Sequence, residues 1–164
     1  MAAQGTVTLR DVTEADLPIF FEFQLDPVAN EMAAFPARDR EAFMNHWTSN
    51  IVGNDAGWNR TILLDGEVVG YILSWSQSGE TLVGYWIGRD HWGKGAASRA
   101  LAMLLVEVDT RPLHAYVAKH NAGSTRVLKK CGFLVVGEQT VEEADVQIDE
   151  VILRLDADPS SAAT

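Results

Sequence analysis

Apolar and polar positions alternate along the chain in a way that assigns most of its elements. Thr6–Asp11 reads as a short strand with Val7 and Leu9 on one face. Thr13 opens a helix signature, threonine followed three residues later by Asp16, and Leu17, Phe20 and Phe21 continue at helical spacing. The stretch from Asp26 to Arg38, with Pro27 and Pro36, reads as a loop. A second helix is expected from Asp39 to about Ile51, with Phe43, Trp47 and Ile51 in an i, i+4, i+8 stripe.

Strand patterns follow. Trp58–Leu64 and Val68–Ser76 flank Asp65-Gly66-Glu67, a hairpin signal because Asp-Gly reaches positive φ cheaply. Ser78-Gly79-Glu80 turns into a third run, Thr81–Ile87. Gly93–Val108 reads as a helix whose Ala97, Leu101, Leu104, Leu105 and Val108 make one apolar stripe, ended by Arg111-Pro112. Leu113–Ala118 reads as a strand. Asn121–Lys130 reads as a helix with Ser124, Val127, Leu128 and Cys131 on one face and Gly132 at the C-terminal cap. Phe133–Glu138 and Val146–Leu155 close the pattern. The order β-αα-βββ-α-β-α-ββ predicts an α/β protein, a mixed sheet with helices on both faces. It reads as a single domain over residues 6–156, with a frayed Ala/Ser/Asp/Pro tail at 157–164.

Composition adds exclusions. At 164 residues the chain is long enough for its own core, and 47% hydrophobic with 22% charged residues rules out wholesale disorder. One cysteine, Cys131, excludes an intrachain disulfide framework and a cysteine-based zinc site, and no metal is expected. No apolar run approaches the roughly 20 residues needed to span a bilayer, and the first residues show no signal-peptide pattern. A cytoplasmic protein is the expectation, as monomer or homodimer. A net charge of −10 repels nucleic acid and anionic membranes, so neither is an expected partner.

The charge is uneven, and that changes the picture. Trp86 to Cys131 carries eight basic and three acidic residues, net +5. The remaining five basic and twenty acidic residues give −15. A basic segment in an acidic chain suggests a local anion site. Arg89-Asp90-His91-Trp92-Gly93-Lys94-Gly95-Ala96-Ala97-Ser98 joins a strand to a helix. Gly93 and Gly95 remove side chains where backbone must approach a ligand, and the helix start presents amides without partners. Lys94 adds charge. Neither the P-loop pattern nor G-x-G-x-x-G is present, since Ser98 stands at the third glycine position.

A second segment, His120-Asn121-Ala122-Gly123-Ser124 through Cys131-Gly132-Phe133, follows a strand directly. Together the two segments resemble the GNAT acetyltransferases. In that family a Q/R-x-x-G-x-G/A turn grips the pyrophosphate of acetyl-coenzyme A, and a later helix opening N-x-x-S/A and ending G-F lines the pantetheine. Trp92 to Leu101 and Gly84-Tyr85-Trp86-Ile87 are most similar to the ribosomal-protein N-acetyltransferase-like branch. The resemblance spans about Thr6 to Leu155. It implies a mostly antiparallel sheet splayed between strands 4 and 5, acetyl-CoA as cosubstrate, and cofactor contacts from Ile87, Gly88, Arg89, Trp92, Gly93, Lys94, Gly95, Ala96, Ala97, Ser98, Asn121 and Ser124. Backbone amides near Ile87 to Arg89 would face the thioester oxygen.

Three positions depart from the family pattern. Asp90 replaces the first Gln or Arg, Leu128 stands where many relatives have a proton-donating tyrosine, and Leu82 where this branch often has glutamate. An amine of pKa roughly 10 is neutral in only about one molecule in a thousand at pH 7, a penalty of roughly 4 kcal/mol, whereas a thiol of pKa near 8.5 leaves readily. Deprotonating the amine therefore matters more than protonating the thiolate. Ser124 is the candidate to contact the sulfur, or else an ordinary first-turn serine. Asn121 is a candidate to hold substrate or water, or else a helix cap. Glu80 and His120 are the candidate bases. Glu31 and Trp47 are candidates to shape the acceptor pocket, or else surface or core residues, and Tyr85 is a candidate to organise water there, or else a core residue. The expected reaction is acetyl transfer to a primary amine, a protein N-terminus or a small cationic molecule. The alternative is a catalytically silent acyl-CoA-binding module.

Overall fold

The computed structural model describes residues 5–34, 38–51, 57–143 and 145–157. Seven strands form one mixed sheet: β1 (Val7–Arg10), β2 (Trp58–Leu64), β3 (Glu67–Gln77), β4 (Glu80–Ile87), β5 (Leu113–Ala118), β6 (Leu134–Glu143) and β7 (Val146–Leu155). Their spatial order is β1-β2-β3-β4-β5-β7-β6. All neighbours are antiparallel except β4 and β5, whose parallel pairing is limited to Thr81↔Leu113 and Leu82↔His114. Beyond those pairs the two strands diverge, leaving a wedge beside the second half of β4.

Five helices flank the sheet: α1 (Leu17–Gln24), α2 (Pro27–Ala33), α3 (Arg40–Asn50), α4 (Ala96–Glu107) and α5 (Ala122–Lys130). α2 corrects the sequence reading of Asp26–Arg38 as a loop. Asp26 caps it by accepting from the Val28 amide at 2.9 Å, and Pro27 sits at the first helical position, where its missing N–H costs nothing. Asp39 likewise caps α3, accepting from the Ala42 amide at 2.7 Å. The tail at 158–164 lies outside the described residues.

Two cores sandwich the sheet. On one face α4 contributes Ala100, Leu101 and Leu104 and α5 contributes Leu128, packed on Ile62, Val69, Ile72, Val83 and Leu113. On the other, Leu17, Phe20 and Phe21 of α1 meet Phe43 and Trp47 of α3, with Tyr71 and Leu73 of β3 beneath. Trp47 is only 2% exposed, and its ring centroid lies 5.1 Å from that of Phe20 and 4.8 Å from that of Tyr71. It is a core residue; this corrects its assignment to an acceptor pocket.

Among the described residues Asp16 is the buried charge. Arg10 donates twice to its carboxylate (2.7 and 2.8 Å), the Thr13 amide at 2.9 Å and the Thr61 hydroxyl at 2.7 Å. Burial alone would raise its pKa, but these four donors hold it at about 2.

Candidate functional site

The wedge between β4 and β5 opens into a cavity of about 370 Å³. β4 supplies Tyr85, Trp86 and Ile87 to its wall. The loop and first turn of α4 supply His91, Trp92, Gly93, Gly95, Ala96, Ala97 and Ser98, and α5 supplies Asn121, Gly123, Ser124, Arg126 and Val127. Ala29, Met32 and Ala33 of α2 complete it. α2 spans the wedge because its two ends are tied to opposite strands. Asp26 accepts from Arg89, just past β4, at 3.3 Å, and the Glu31 carbonyl lies 2.7 Å from Nε2 of His120, just past β5.

The register decides which backbone groups face the wedge. Gly88 donates its amide to the Val69 carbonyl at 2.8 Å, so it pairs inward with β3. Hydrogen-bonding direction alternates along a strand, and the amides of Tyr85 and Ile87 therefore point away from β3, into the opening. The Ile87 carbonyl is held by the Trp92 indole N–H at 2.8 Å. Gly88 is thus corrected as an amide donor to a ligand. Its lack of a side chain serves Phe23, whose ring would lie 2.6 Å from an added Cβ.

The loop into α4 has the shape its glycines suggest. Gly93 and Gly95 take φ of +79° and +76°, which L side chains avoid. An added Cβ at Gly93 would meet no protein atom within 4 Å, so the missing side chain leaves open space. Gly95 caps α4 with no side-chain hydrogen bond, so the first amides of a 12-residue helix face outward. Arg99 braces the loop from behind, donating to the carbonyls of Gly95 (3.2 Å), Lys94 (2.8 Å) and Gly5 (2.7 Å). Arg89 and Lys94 do not line the cavity; the cation that does is Arg126. Asp90 is exposed and also lies off the cavity wall.

On α5, Asn121 is the N-cap, accepting from the Ser124 amide at 3.2 Å, and it lines the cavity as well. The Ser124 hydroxyl lies 2.7 Å from the Tyr85 hydroxyl, which spans from β4 across the wedge. Burial pushes the Tyr85 phenol up to about 12. Leu128 is 1% exposed, pointing into the core. Cys131 lies with Sγ 3.6 Å from the Ser98 carbonyl, and burial raises its thiol pKa, a packed rather than a nucleophilic setting.

The remaining candidates stand apart. Glu80 begins β4, seven residues from Ile87, or roughly 23 Å along an extended strand. Its carboxylate accepts from the Tyr116 hydroxyl and pairs with His114 Nε2 at 3.3 Å. Strand alternation puts Glu80 on the face of Leu82, Gly84 and Trp86, opposite the α4–α5 core. His120 and Glu31 are exposed and engaged with each other; neither side chain lines the cavity. The residues sequence reasoning missed are the α2 wall, which the Asp26-Pro27 start signal could have revealed, and Trp86, Gly123, Arg126 and Val127, which follow from the helix and strand faces. Among the described residues no cluster of His, Cys, Asp or Glu side chains could hold a metal ion, and no helix is long and apolar enough to cross a membrane.

A splayed sheet, a glycine-rich helix entry and a second capped helix converge on one cavity. The family model described as "Acetyltransferase (GNAT) domain" matches residues 6–134, and the chain belongs to that family. Among solved structures, a GNAT-family acetyltransferase from Bacillus anthracis superimposes with a TM-score of 0.78 at 19% identity, covering 92% of this chain and 94% of that one. RimL, a ribosomal L7/L12 alpha-N-protein acetyltransferase in complex with coenzyme A, gives 0.77 at 20% identity, covering 93% and 96%. Spermidine N-acetyltransferase from Vibrio cholerae, in complex with CoA and spermine, gives 0.77 at 14% identity, covering 92% and 95%. At these identities the likeness establishes the fold. A search of curated proteins finds no match.

Proposed function

We propose that this protein transfers an acetyl group from acetyl-CoA to a primary amine by direct attack, with a cationic acceptor, either a protein N-terminus or a small polyamine-like molecule. The observation that carries the reading is the convergence of the uncapped start of α4 and the open amides of β4 on one cavity. The residues present suit such a cosubstrate. Amides at Gly95 to Ser98, with Arg126 nearby, suit a pyrophosphate, and the open side of Gly93 leaves it room. Ala97, Val127 and Met32 give an apolar wall for a pantetheine arm. Acetyl-CoA supplies the activated acyl group; this chain's part is to hold it, polarise its carbonyl and receive the amine. One amide of Tyr85 or Ile87 aimed at the carbonyl oxygen is worth about 3–4 kcal/mol of barrier.

The acceptor side is read from charge. Glu80 lies on the face opposite the α4–α5 core, with Tyr116 and His114 against it. The Glu80 hydrogen bond, then burial and the Glu80 and Glu150 charges, push the Tyr116 phenol upward, so it stays a donor and fixes that carboxylate. Outside Trp86–Cys131 the chain carries −15, which steers cations inward. Neither candidate base lines the cavity: Glu80 stands at the far end of β4 and His120 just past β5, its Nε2 against the Glu31 carbonyl, so each would reach the amine only through water. RimL and spermidine N-acetyltransferase, among the similar folds, have amine acceptors by name, in keeping with this reading.

The second reading, acyl-CoA binding without turnover, is favoured by Leu128, buried where relatives place tyrosine. A thermal shift with acetyl-CoA, CoA and ATP, followed by thiol release over an amine panel, separates the two. A shift with both CoA species but not ATP, then steady thiol release with a cationic amine, supports transfer. CoA binding with no release across the panel supports the silent module, and no shift with either CoA species refutes both.

A further inference from the structure

We propose that Tyr85 is a positioning residue for the leaving thiolate, acting through Ser124, so that a hydroxyl pair built from the opposite wall of the wedge stabilises the departing sulfur where Leu128 offers no proton donor. The inference rests on the acetyl-CoA reading above. It starts from two elements that need not have met. Tyr85 belongs to β4 and Ser124 to the first turn of α5, 39 residues later, yet their oxygens lie 2.7 Å apart inside the cavity. The phenol also lies 3.3 Å from the Ser124 carbonyl. Both are cavity-lining residues, so the pair sits where a ligand would fill the wedge.

Each hydroxyl has one hydrogen. At rest the phenol can donate to the Ser124 carbonyl while accepting from Ser124 Oγ. With negative charge on a neighbouring sulfur, the serine hydrogen turns to the sulfur. The phenol hydrogen then moves to Ser124 Oγ, a small rotation at the shorter of its two contacts. Tyr85 therefore keeps the serine hydroxyl partnered in both states and strengthens it as a donor in the second. Tyr85 itself stays protonated. Burial raises the Tyr85 phenol well above a thiol's ordinary value, so its proton remains on oxygen. The thiolate departs as an anion, stabilised by one hydrogen bond from Ser124, and takes its proton from solvent.

The test is a double-mutant cycle of Tyr85→Phe and Ser124→Ala in the full chain, read two ways. In turnover, Tyr85→Phe is expected to lower kcat about tenfold while KM for acetyl-CoA moves less than twofold. Added to Ser124→Ala, it should change kcat less than twofold, because its partner is already gone. Independently of any acceptor, the thiolate absorbance of bound CoA against pH gives the thiol pKa in the complex. Tyr85→Phe should raise it by about half to one unit in the wild-type background and leave it unmoved in Ser124→Ala. Equal kcat losses in both backgrounds, or a bound-thiol pKa indifferent to Tyr85→Phe, overturns the proposal while the acetyl-CoA reading stands. A wild-type protein that fails to bind CoA overturns both.

Discussion

Gly93→Ala separates a phosphate cradle from a plain helix entry. Gly93 holds φ at +79°, where an L residue is disfavoured by about 1–2 kcal/mol. No protein atom lies within 4 Å of the added methyl, so no clash adds to that strain. For a chain of this length, each kcal/mol moves Tm by roughly 2–4 °C, giving an expected fall of about 2–8 °C. The methyl enters the open space beside Gly93; on the proposed reading that space takes a phosphate, which the methyl would hold away from the α4 amides. Losing one charge-assisted hydrogen bond costs about 1.5–3 kcal/mol, roughly a 10–150-fold rise in Kd for CoA. The assay is calorimetric titration with CoA at fixed ionic strength, beside a melting curve. An unchanged Kd alongside the expected Tm fall refutes the cradle, since the strain would then be felt only by the fold.

Four further outcomes follow from the same geometry. Asp16→Asn should cost about 2–3 kcal/mol, since the native carboxyl near 2 is stabilised relative to its unfolded value of 3.8. That stabilisation is complete above about pH 4 and disappears as pH falls through 2, so urea midpoints of wild type and variant should converge in acid. Trp47→Ala should cost about 3–5 kcal/mol by urea denaturation, the loss for a large core aromatic; an unchanged midpoint with altered acceptor KM would return Trp47 to the pocket. Leu128→Tyr should destabilise by about 1–3 kcal/mol without raising kcat, because that position faces the core and not the wedge. Glu80→Gln should raise KM for a dicationic amine about two- to fivefold and lower kcat, with Kd for CoA unchanged; an effect on CoA affinity would contradict its placement.

Much of the fold was legible because its periodicities are local. Trp58–Leu64 was bounded by turn chemistry at Asp65-Gly66 and Leu113–Ala118 by the helices on either side, while Gly132 closed the helix before β6. The cavity's loop and α5 were legible for the same reason: Gly93, Gly95 and Asn121 act through their own backbone neighbourhood. α2 was lost because two prolines within ten residues outweighed an Asp-Pro start that fits a helix equally well. Trp47 stayed open between core and acceptor pocket because a stripe says which face is apolar, never what lies against it. Its partner ring, Tyr71, comes from a strand 24 residues away. The spending of the Gly88 amide in β3, while those of Tyr85 and Ile87 stay open, depends on sheet register, which no local pattern specifies.

The two leucines that replace familiar acid/base groups explain each other's tolerance. Leu82 pairs with Trp75 and His114 at the last point where β4 and β5 touch, and is 7% exposed. A carboxylate at so buried a position would be expensive without a dedicated partner. The nearest carboxylate on β4 is two residues earlier, at Glu80, where Tyr116 and His114 hold it. Leu128 in turn anchors α5 to the sheet, and the hydroxyl it displaces reappears on β4 as Tyr85. In both cases the buried position goes to packing and a polar side chain stands elsewhere on β4. The arithmetic of the reaction permits this, since a thiolate near 8.5 needs a hydrogen bond more than a proton, and an ammonium near 10 needs a base that water can reach.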